Sequence, residues 1–505
     1  MLTEFWLAAA LNSALIVAGV SALALVIAVP GAWLIERTDL PGARFLHRVF
    51  TLSYALPSYL LAIAWVVLAN PNVGWINLWG QRLGFERLID IYQLGGVIFI
   101  EASVLFTILY FSFWSGLRQM DPSLEEAARL AGANSLQVFA RITAPVLKGN
   151  ILSGLVAVAL ASLASFGVPA IIGTPARKFV LTTAIFAKLQ EGSPEAFDEA
   201  MVIALELSAV TLGLIVLSGL WARRKVSLVG GKAARPAVVA LGRWRLPAAI
   251  GLYGVWGLLV LLPLTALVLS SFFAEPGVLR WSNLTLRSWS YVLFSLTEFR
   301  TALLNSFLSA GAAALSVLAI ALGLSITAWQ GHFQHRRVQG TAGRLAEHGA
   351  MFCYSLPGTV LALTLIIVLG RLAVISTLWI LVIAFTVKYA TLGIQTVRPS
   401  AFLIDPSLIE SAQLAGAGPS QRLWHIWLPL LRAPLFAAAL LVFMPCFSEL
   451  TMSILLYGPG TENLGVVLFN LQEYADRSSA AVVGTLLLVA VILFRAAAGR
   501  LRDVD

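Results

Sequence analysis

The chain has 505 residues, of which 59% are apolar and 12% are charged, and its mean hydropathy is +0.87. Soluble domains are about half apolar and about a quarter charged, so this composition excludes a soluble globular protein. The formal net charge of +9 is read as a membrane-topology signal, and no nucleic-acid partner is expected.

Apolar stretches long enough to cross a bilayer as helices, which takes about 20 residues each, recur along the whole chain. They do not alternate as barrel strands would, and backbone polar groups in lipid must be satisfied within each segment. We therefore predict an all-α integral membrane protein with about 11 transmembrane helices. In chain order the predicted spans are 12–34, 49–69, 94–117, 151–173, 200–221, 247–273, 302–328, 350–370, 376–398, 435–457 and 480–497.

The distribution of Lys and Arg predicts which side of the membrane each loop faces. With the N-terminus outside, the loops assigned to the cytoplasm hold 23 of the 34 basic residues, and the outer loops hold 10. Basic loops stay on the cytoplasmic side, which favours this orientation of a multi-pass protein. Residues 223–246 contain seven basic residues and no acidic one, and they are predicted to form a cytoplasmic linker beside anionic lipid.

A polar segment occurs twice in this otherwise apolar chain. Residues 121–149 and 405–433 agree at 14 of 29 aligned positions. Shorter matches extend the similarity into the membrane spans, at 11–13 and 304–306 and at 54–57 and 354–357. Parallel repeats of this kind in transporters lie on either side of the transport pathway. The duplication therefore predicts two homologous helical bundles in one chain.

The repeat also predicts the domain boundaries. Residues 1–222 form the first transmembrane domain, with five spans, and residues 247–505 form the second, with six. The basic linker 223–246 joins them. The span 247–273 leads the second domain and has no counterpart before Leu11.

Each copy of the polar segment predicts a helix–turn–helix. A capping Asp is followed by a Pro suited to the first helical position, Asp121-Pro122 and Asp405-Pro406. One Leu and small residues then recur at helical spacing on one face, which comprises Leu124, Ala127, Ala128 and Ala131 in the first copy and Leu408, Ser411, Ala412 and Ala415 in the second. A glycine suited to left-handed torsions ends this helix, Gly132 or Gly416. The second helix is predicted to be capped near Ser135 and Ser420 and to stop by Pro145 and Pro429.

An amphipathic loop lying on the bilayer surface is the alternative reading of this segment. Such a helix needs bulky apolar anchors and a basic polar face. Here the apolar stripe is mostly alanine and the flanking residues Glu125, Glu126 and Glu410 are acidic. The pattern favours a helix that docks closely on a protein partner.

At these residues the chain resembles the EAA motif of ABC importer permeases. The first copy reads Glu126-Ala127-Ala128-x3-Gly132 and continues to Ile142 and Pro145, and the second reads Glu410-Ser411-Ala412-x3-Gly416 and continues to Ile426 and Pro429. The resemblance implies the type I ABC importer transmembrane fold. It also implies that these loops are coupling helices, each held in a groove of a cytosolic ATPase subunit.

The same resemblance implies the partners and the location of the chain. They are two cytoplasmic ABC ATPase subunits, a periplasmic solute-binding protein and the lipid bilayer of the bacterial inner membrane. The sequence contains no G-x-x-x-x-G-K-[ST] phosphate loop. The chain is therefore expected not to be an enzyme and to bind no cofactor, because ATP is used by the partner subunits.

Other stretches resemble the permeases of ferric-iron importers. They are ERTDLPGARFLHR at 36–48, LPSYLLAIAW at 56–65 and SFGVPAIIGTP at 165–175. This resemblance implies ferric iron as the cargo of an alternating-access transporter. Related permeases carry sugar phosphates, phosphonates or thiamine, and these cargoes remain alternatives.

Charged residues inside predicted spans are candidates for the transport pathway, because they are costly there and mark function by default. Glu101 and Lys388 are hypothesised to face each other or the pathway, and a structural ion pair between helices is the alternative. Glu449 is a weaker candidate near the end of a span. Tyr54 and Tyr354 each precede a Leu-Pro pair and could mark helix bends at the pathway, or serve as interfacial aromatic residues.

Two other classes of function remain open to test. An ion-driven secondary transporter would use Glu101 and Lys388 and need no ATPase, but the paired EAA segments argue against it. An integral membrane enzyme would need a catalytic cluster at a membrane boundary, and neither a His/Glu nor a Ser/His/Asp arrangement has usable spacing. The histidines form no convincing metal site, so none is predicted.

Overall fold

The protein is helical in the computed structural model, which describes residues 2–222, 238–275, 277, 280–333, 337–372, 374–474 and 476–502. Within these ranges, eight helices are long and apolar enough to cross a membrane, and the number is up to twelve if each of four bent helix pairs is one span. Extended pairing there is limited to two isolated bridges, Thr38 with Val239 and Phe273 with Leu284. The all-α membrane fold predicted from the sequence is confirmed.

The first eleven helices are α1 Leu2–Arg37, α2 Ala43–Ser53, α3 Ser58–Ala69, α4 Trp75–Arg82, α5 Leu94–Gln119, α6 Ser123–Leu130, α7 Ser135–Val138, α8 Ala144–Val146, α9 Lys148–Leu163, α10 Leu181–Glu191 and α11 Pro194–Ala222. The remaining helices are α12 Arg245–Trp256, α13 Leu262–Ser270, α14 Arg287–Ser290, α15 Thr297–Phe333, α16 Arg337–Ser355, α17 Gly358–Leu369, α18 Leu378–Ala401, α19 Pro406–Leu414, α20 Pro419–Arg422, α21 Leu428–Phe447, α22 Ser453–Leu456, α23 Leu464–Glu473 and α24 Arg477–Arg502. Turns of π-helix occur at Phe139–Thr143, Pro169–Gly173, Gly257–Leu261, Tyr291–Ser295 and Leu423–Trp427.

The described residues pack as two units, one within the ranges 1–289 and 475–485 and the other within the ranges 290–474 and 486–505. Helices α12 and α13, the leading span of the second repeat, therefore belong to the first packing unit, where α13 lies against α3. Of the predicted linker, residues 223–237 lie outside the described residues. The repeat boundary at 246 stays a prediction about homology.

In the first unit, α1 lies along α5, and α9 packs against both. Membrane helices associate through close contact at small residues, because lipid already surrounds their apolar side chains. Gly154 of α9 shows this close approach, since a Cβ atom there would lie 2.6 Å from the side chain of Leu109 on α5.

In the second unit, α15 takes the position of α1 and packs against α18 and α21. A Cβ atom at Gly393 of α18 would lie 2.4 Å from the side chain of Val317 on α15. The α15–α18 pair of the second unit thus corresponds to the α1–α5 pair of the first.

Equivalent hydrogen bonds confirm the duplication at the level of structure. In the first unit, the backbone N–H of Leu181 donates to Ser13 Oγ at 3.0 Å. In the second, the N–H of Leu464 donates to Ser306 Oγ at 2.9 Å. The asparagine before each serine donates to backbone carbonyls just upstream of the same leucine. The short Leu-Asn-Ser match therefore marks a shared tertiary contact.

The predicted spans 49–69 and 350–370 are each two helices joined by a sharp bend. The axes of α2 and α3 differ by 100°, and those of α16 and α17 differ by 115°. Each break directly precedes Pro57 or Pro357, and a proline disfavours the helical region for the residue before it.

The predicted spans 151–173 and 435–457 are wrong at their C-terminal ends. Helix α9 ends at Leu163 and α21 ends at Phe447. The apolar residues that follow form a π-helical turn in the first unit and the short helix α22 in the second. Both spans were predicted too long because these turns are as apolar as a spanning helix. They are buried within their own units, although they are not part of a continuous helix.

Candidate coupling surface and charges within the spans

The repeated polar segments begin with short, capped helices. Asp405 is the N-cap of α19, and its carboxylate accepts the N–H of Ser407 at 2.8 Å. In the first copy the helix begins one residue later than predicted, but Asp121 still accepts the N–H of Ser123 at 2.9 Å. These backbone N–H groups hold the pKa values of both exposed carboxyls below their ordinary value.

A glycine in the left-handed region ends each of these helices, as predicted. The φ angle is +88° at Gly132 and +81° at Gly416. The N–H of the following alanine bonds back to the carbonyl of Ala128 at 3.0 Å in the first copy and of Ala412 at 2.9 Å in the second. This is the Schellman end of a helix. Nothing lies within 4 Å of a Cβ atom built on either glycine, so the requirement is for backbone torsion rather than space.

A large apolar side chain projects from the end of each short helix. Leu130 is 91% exposed and Leu414 is 90% exposed, and the two occupy the same position of the repeat. Sequence reasoning missed them because they lie off the face defined by Leu124 and the alanines. The signal that could have found them is that leucine occurs at this position in both copies. The two polar loops therefore present the same exposed apolar side chain at the same position.

The predicted coupling residues lie on the same two short helices and on the glycine turns that end them. Ala127, Gly132, Glu410, Ser411 and Gly416 are exposed, and Glu126, Ala128 and Ala412 are partly buried. Each set is therefore open to a partner on its own loop. Their role in coupling stays a prediction.

The second helix of each copy starts earlier than predicted. Asn134, not Ser135, caps α7, and it exchanges two hydrogen bonds with Gln137, at 2.9 and 3.0 Å. In the second copy α20 starts at Pro419, one residue before Ser420, because Pro suits the first helical turn.

The prediction that these helices stop by Pro145 and Pro429 is wrong. In the second copy one continuous helical segment runs from Pro419 to Phe447. A π-helical turn precedes each proline, and such turns accommodate the missing N–H. In the first copy the chain bends by 69° only after the proline, between Val146 and Lys148. The polar segment is thus joined directly to a membrane span.

Glu101 lies on α5 and is buried in the first unit. Ser162 Oγ, near the end of α9, donates to its Oε2 at 2.5 Å. A cavity of about 10 Å³, lined also by Ser13 and Pro169, adjoins the carboxyl group. The residue therefore joins α5 to the broken end of α9 within its own unit.

Lys388 lies on α18 of the second unit. Its Nζ donates to the carbonyl oxygens of Tyr354, at 2.8 Å, and Leu356. These carbonyls belong to the bend between α16 and α17, where the helical hydrogen bonds are interrupted. Glu101 and Lys388 each bind groups of their own unit, and the hypothesis that they face one another stays a prediction.

Glu449 is buried directly after α21. It accepts hydrogen bonds from the N–H groups of Met452, at 2.8 Å, and Ser453, at 2.9 Å, and from Ser453 Oγ. It therefore holds the turn that begins α22, and it also interacts electrostatically with Lys388.

Tyr54 and Tyr354 lie at the two helix bends, and both are exposed. Their proposed pathway role stays a prediction.

Comparison with known proteins places this architecture in a family. The family model described as "binding-protein-dependent transport system inner membrane component" matches residues 28–224 and 340–503, which include both repeated segments. The chain is 25% identical over 468 residues to a probable ABC transporter permease protein, y4fN, of Sinorhizobium fredii, covering 89% of this chain and 79% of that protein.

Two further relatives carry ferric-transport names. The chain is 24% identical to Fe(3+)-transport system permease protein FbpB 2 of Haemophilus influenzae, over 91% of this chain and 83% of the relative. It is 23% identical to ferric transport system permease protein FbpB of Actinobacillus pleuropneumoniae, over 89% of this chain, and it spans only 65% of that relative. With the family model covering most of its length, the chain belongs to the inner-membrane components of binding-protein-dependent transport systems.

Proposed function

We propose that this chain is the permease of an ATP-driven, binding-protein-dependent importer that works by alternating access. The observation that best supports this proposal is the pair of capped helices that present Leu130 and Leu414 at equivalent positions. ATP binding closes a dimer of cytosolic ATPase subunits and draws the two helices together. The helical bundles then open toward a docked periplasmic binding protein.

The exposed leucines explain how such a contact would hold. Burying one leucine side chain stabilises a contact by about 1.5–3 kcal/mol. The glycine turn behind each leucine fixes the direction in which it projects. ATP hydrolysis is assigned to the partner subunits, because the sequence contains no phosphate-loop motif.

Ferric iron is the proposed cargo. The support is the names of two relatives that align with about nine-tenths of this chain. Relatives named as sulfate permeases align with little more than a third of it. Sugar phosphates, phosphonates and thiamine remain the alternative cargoes.

The test is uptake of radiolabelled ferric iron by cells that express this chain, its ATPase and its binding protein. In the double variant L130A/L414A we expect uptake to fall at least about tenfold, because two docking contacts are lost. Leu136 supplies the matched control, since it is 75% exposed on the same loop but is replaced by serine in the second copy. L136A is expected to transport normally. Full uptake by the double variant would contradict the coupling role.

The outcome with the unmodified chain decides the cargo. If it carries no iron but stimulates its ATPase when the binding protein is added, the importer class holds and the cargo is one of the alternatives. If uptake continues after the ATPase is deleted, the chain is an ion-driven transporter. In that case E101Q and K388M should each abolish transport.

A further inference from the structure

The two coupling helices are attached to their helical bundles by different chemistry. In the first unit, α1 ends at Arg37, whose side chain is only 1% exposed. Arg37 Nε lies 3.0 Å from Glu125 Oε2, and Nη2 donates to the carbonyl of Leu117 at the end of α5, at 2.7 Å. Glu125 belongs to the short helix α6 and precedes the EAA residues. Glu125, which the sequence pattern assigns to a polar surface, is therefore buried in an ion pair.

Thr143 completes this arrangement from the opposite side. Its Oγ1 donates to Glu125 Oε1 at 2.6 Å, and the threonine is fully buried on the π-helical turn before Pro145. Arg129, one turn along α6, lies at the limit of ion pairing, 4.0 Å from the same carboxylate. Arg37, Glu125 and Thr143 together are named the polar clamp. It joins the end of α1 to both helices of the coupling segment.

The second unit builds the same joint without charge. By the repeat alignment, Ile409 stands in the place of Glu125, and Trp427 in that of Thr143. Both are buried in an apolar cluster with Trp329 of α15. The rings of Trp329 and Trp427 meet edge to face, with centroids 5.3 Å apart. Gln330 stands in the place of Arg37 when α1 and α15 are aligned on their Leu-Asn-Ser matches.

The second joint also contains a directional bond, since Trp329 Nε1 donates to the carbonyl of Ile404, just before α19, at 3.2 Å. The two joints therefore differ in charge. Removing one member of a buried ion pair leaves the other charge buried without a partner, and the rings of the second unit carry no such penalty. The other end of α1 carries Ser13, which binds the N–H of Leu181. Arg37 lies 24 residues after Ser13, which corresponds to about 36 Å of helix. The first coupling helix is therefore joined by a buried charge contact to a helix that reaches across the membrane.

We propose that the charge of Arg37, held in the polar clamp, fixes the position of the first coupling helix on α1, whereas contacts of Trp329 and Trp427 hold the second without charge. Arg37, Glu125 and Thr143 are positioning residues, which act on the ATPase contact through α6. The two halves of the transporter are then unequal in coupling. The part of this proposal that concerns the ATPase rests on the proposed function.

The first test needs only the full-length chain in lipid nanodiscs. Hydrogen exchange is measured in α6 (residues 123–130) and α19 (406–414). In R37M the carboxylate of Glu125 stays buried without its counter-charge, and exchange in α6 should rise about 100-fold or more while α19 is unchanged. R37K should recover part of the protection, because it restores the charge. The exposed pair of Arg87 and Asp90, 3.3 Å apart, supplies the control variant R87M, which should change neither helix.

The second test separates positioning from stability. The variant R37M/E125L/T143V replaces the polar clamp by apolar groups of similar size, and it should keep α6 protected. With its ATPase and binding protein, this variant should hydrolyse ATP at the normal basal rate. Stimulation by the loaded binding protein should fall about tenfold or more, because the charge contact between α1 and α6 is gone.

The proposal is overturned by any of three results. They are unchanged exchange of α6 in R37M, an equal rise in α6 and α19, or full stimulation in the protected apolar variant. If instead the unmodified complex shows no ATPase stimulation at all, the proposed function fails. The exchange measurement still decides whether the polar clamp positions α6.

Discussion

Replacing Gly132 and Gly416 by alanine tests whether the coupling helices need their left-handed ends. The φ angles of +88° and +81° cost a residue with a Cβ atom about 1–2 kcal/mol each. Since no atom lies within 4 Å of the place a Cβ atom would take at either site, steric clash adds nothing to this figure. The full cost therefore acts on the Schellman turn that orients Leu130 and Leu414.

The expected result is about a 5- to 30-fold loss of protection of the last turn of α6 and α19 against hydrogen exchange, since about 1.4 kcal/mol corresponds to a factor of ten. Binding-protein-stimulated ATP hydrolysis should fall with it. Asparagine tolerates left-handed torsions better, so G132N/G416N should lie between the unmodified chain and G132A/G416A.

Gly84 gives a matched control for the alanine variants. It has φ +89° and equally open surroundings, but it lies in a loop predicted to be outside the membrane. G84A therefore carries the same strain away from the coupling segments, and it should leave stimulation intact. Normal stimulation in G132A/G416A, or an equal loss in G84A, would refute the reasoning.

Three smaller predictions follow from single contacts. N134A removes the capping box of α7 and should destabilise that helix by about 1 kcal/mol, seen as faster hydrogen exchange, whereas S135A should have little effect. G393A forces a methyl group against Val317 and should lower the melting temperature, and V317A should restore it; no recovery would mean that the contact is not the cause. The carboxyl group of Asp405, which caps α19, has a lowered pKa. Its contribution to the stability of α19 is therefore complete above the ordinary Asp pKa of about 3.9 and is lost as the pH falls through the lowered value. Exchange in α19 should accelerate there, but not in D405N.

Local rules were enough to predict the first helix of each repeated polar segment. The capping aspartates, the prolines at the helix start and the left-handed glycines depend on the torsions and hydrogen bonds of residues a few positions apart. Membrane spans were predictable for a similar reason, because length and hydropathy decide whether a helix can cross lipid. The ends of α9 and α21 were not, since buried irregular turns are as apolar as the helices they follow.

The sequence by itself determined that this is a duplicated, all-helical membrane protein with two equivalent polar loops. Only the tertiary structure decided how those loops are attached. Glu125 reads as a surface acid in any window of sequence, and it is buried only because Arg37 and Thr143 meet it from distant parts of the chain. Its counterpart Ile409 is buried among tryptophans instead. The burial of a charge depends on partners that the fold brings together, and no local pattern contains them.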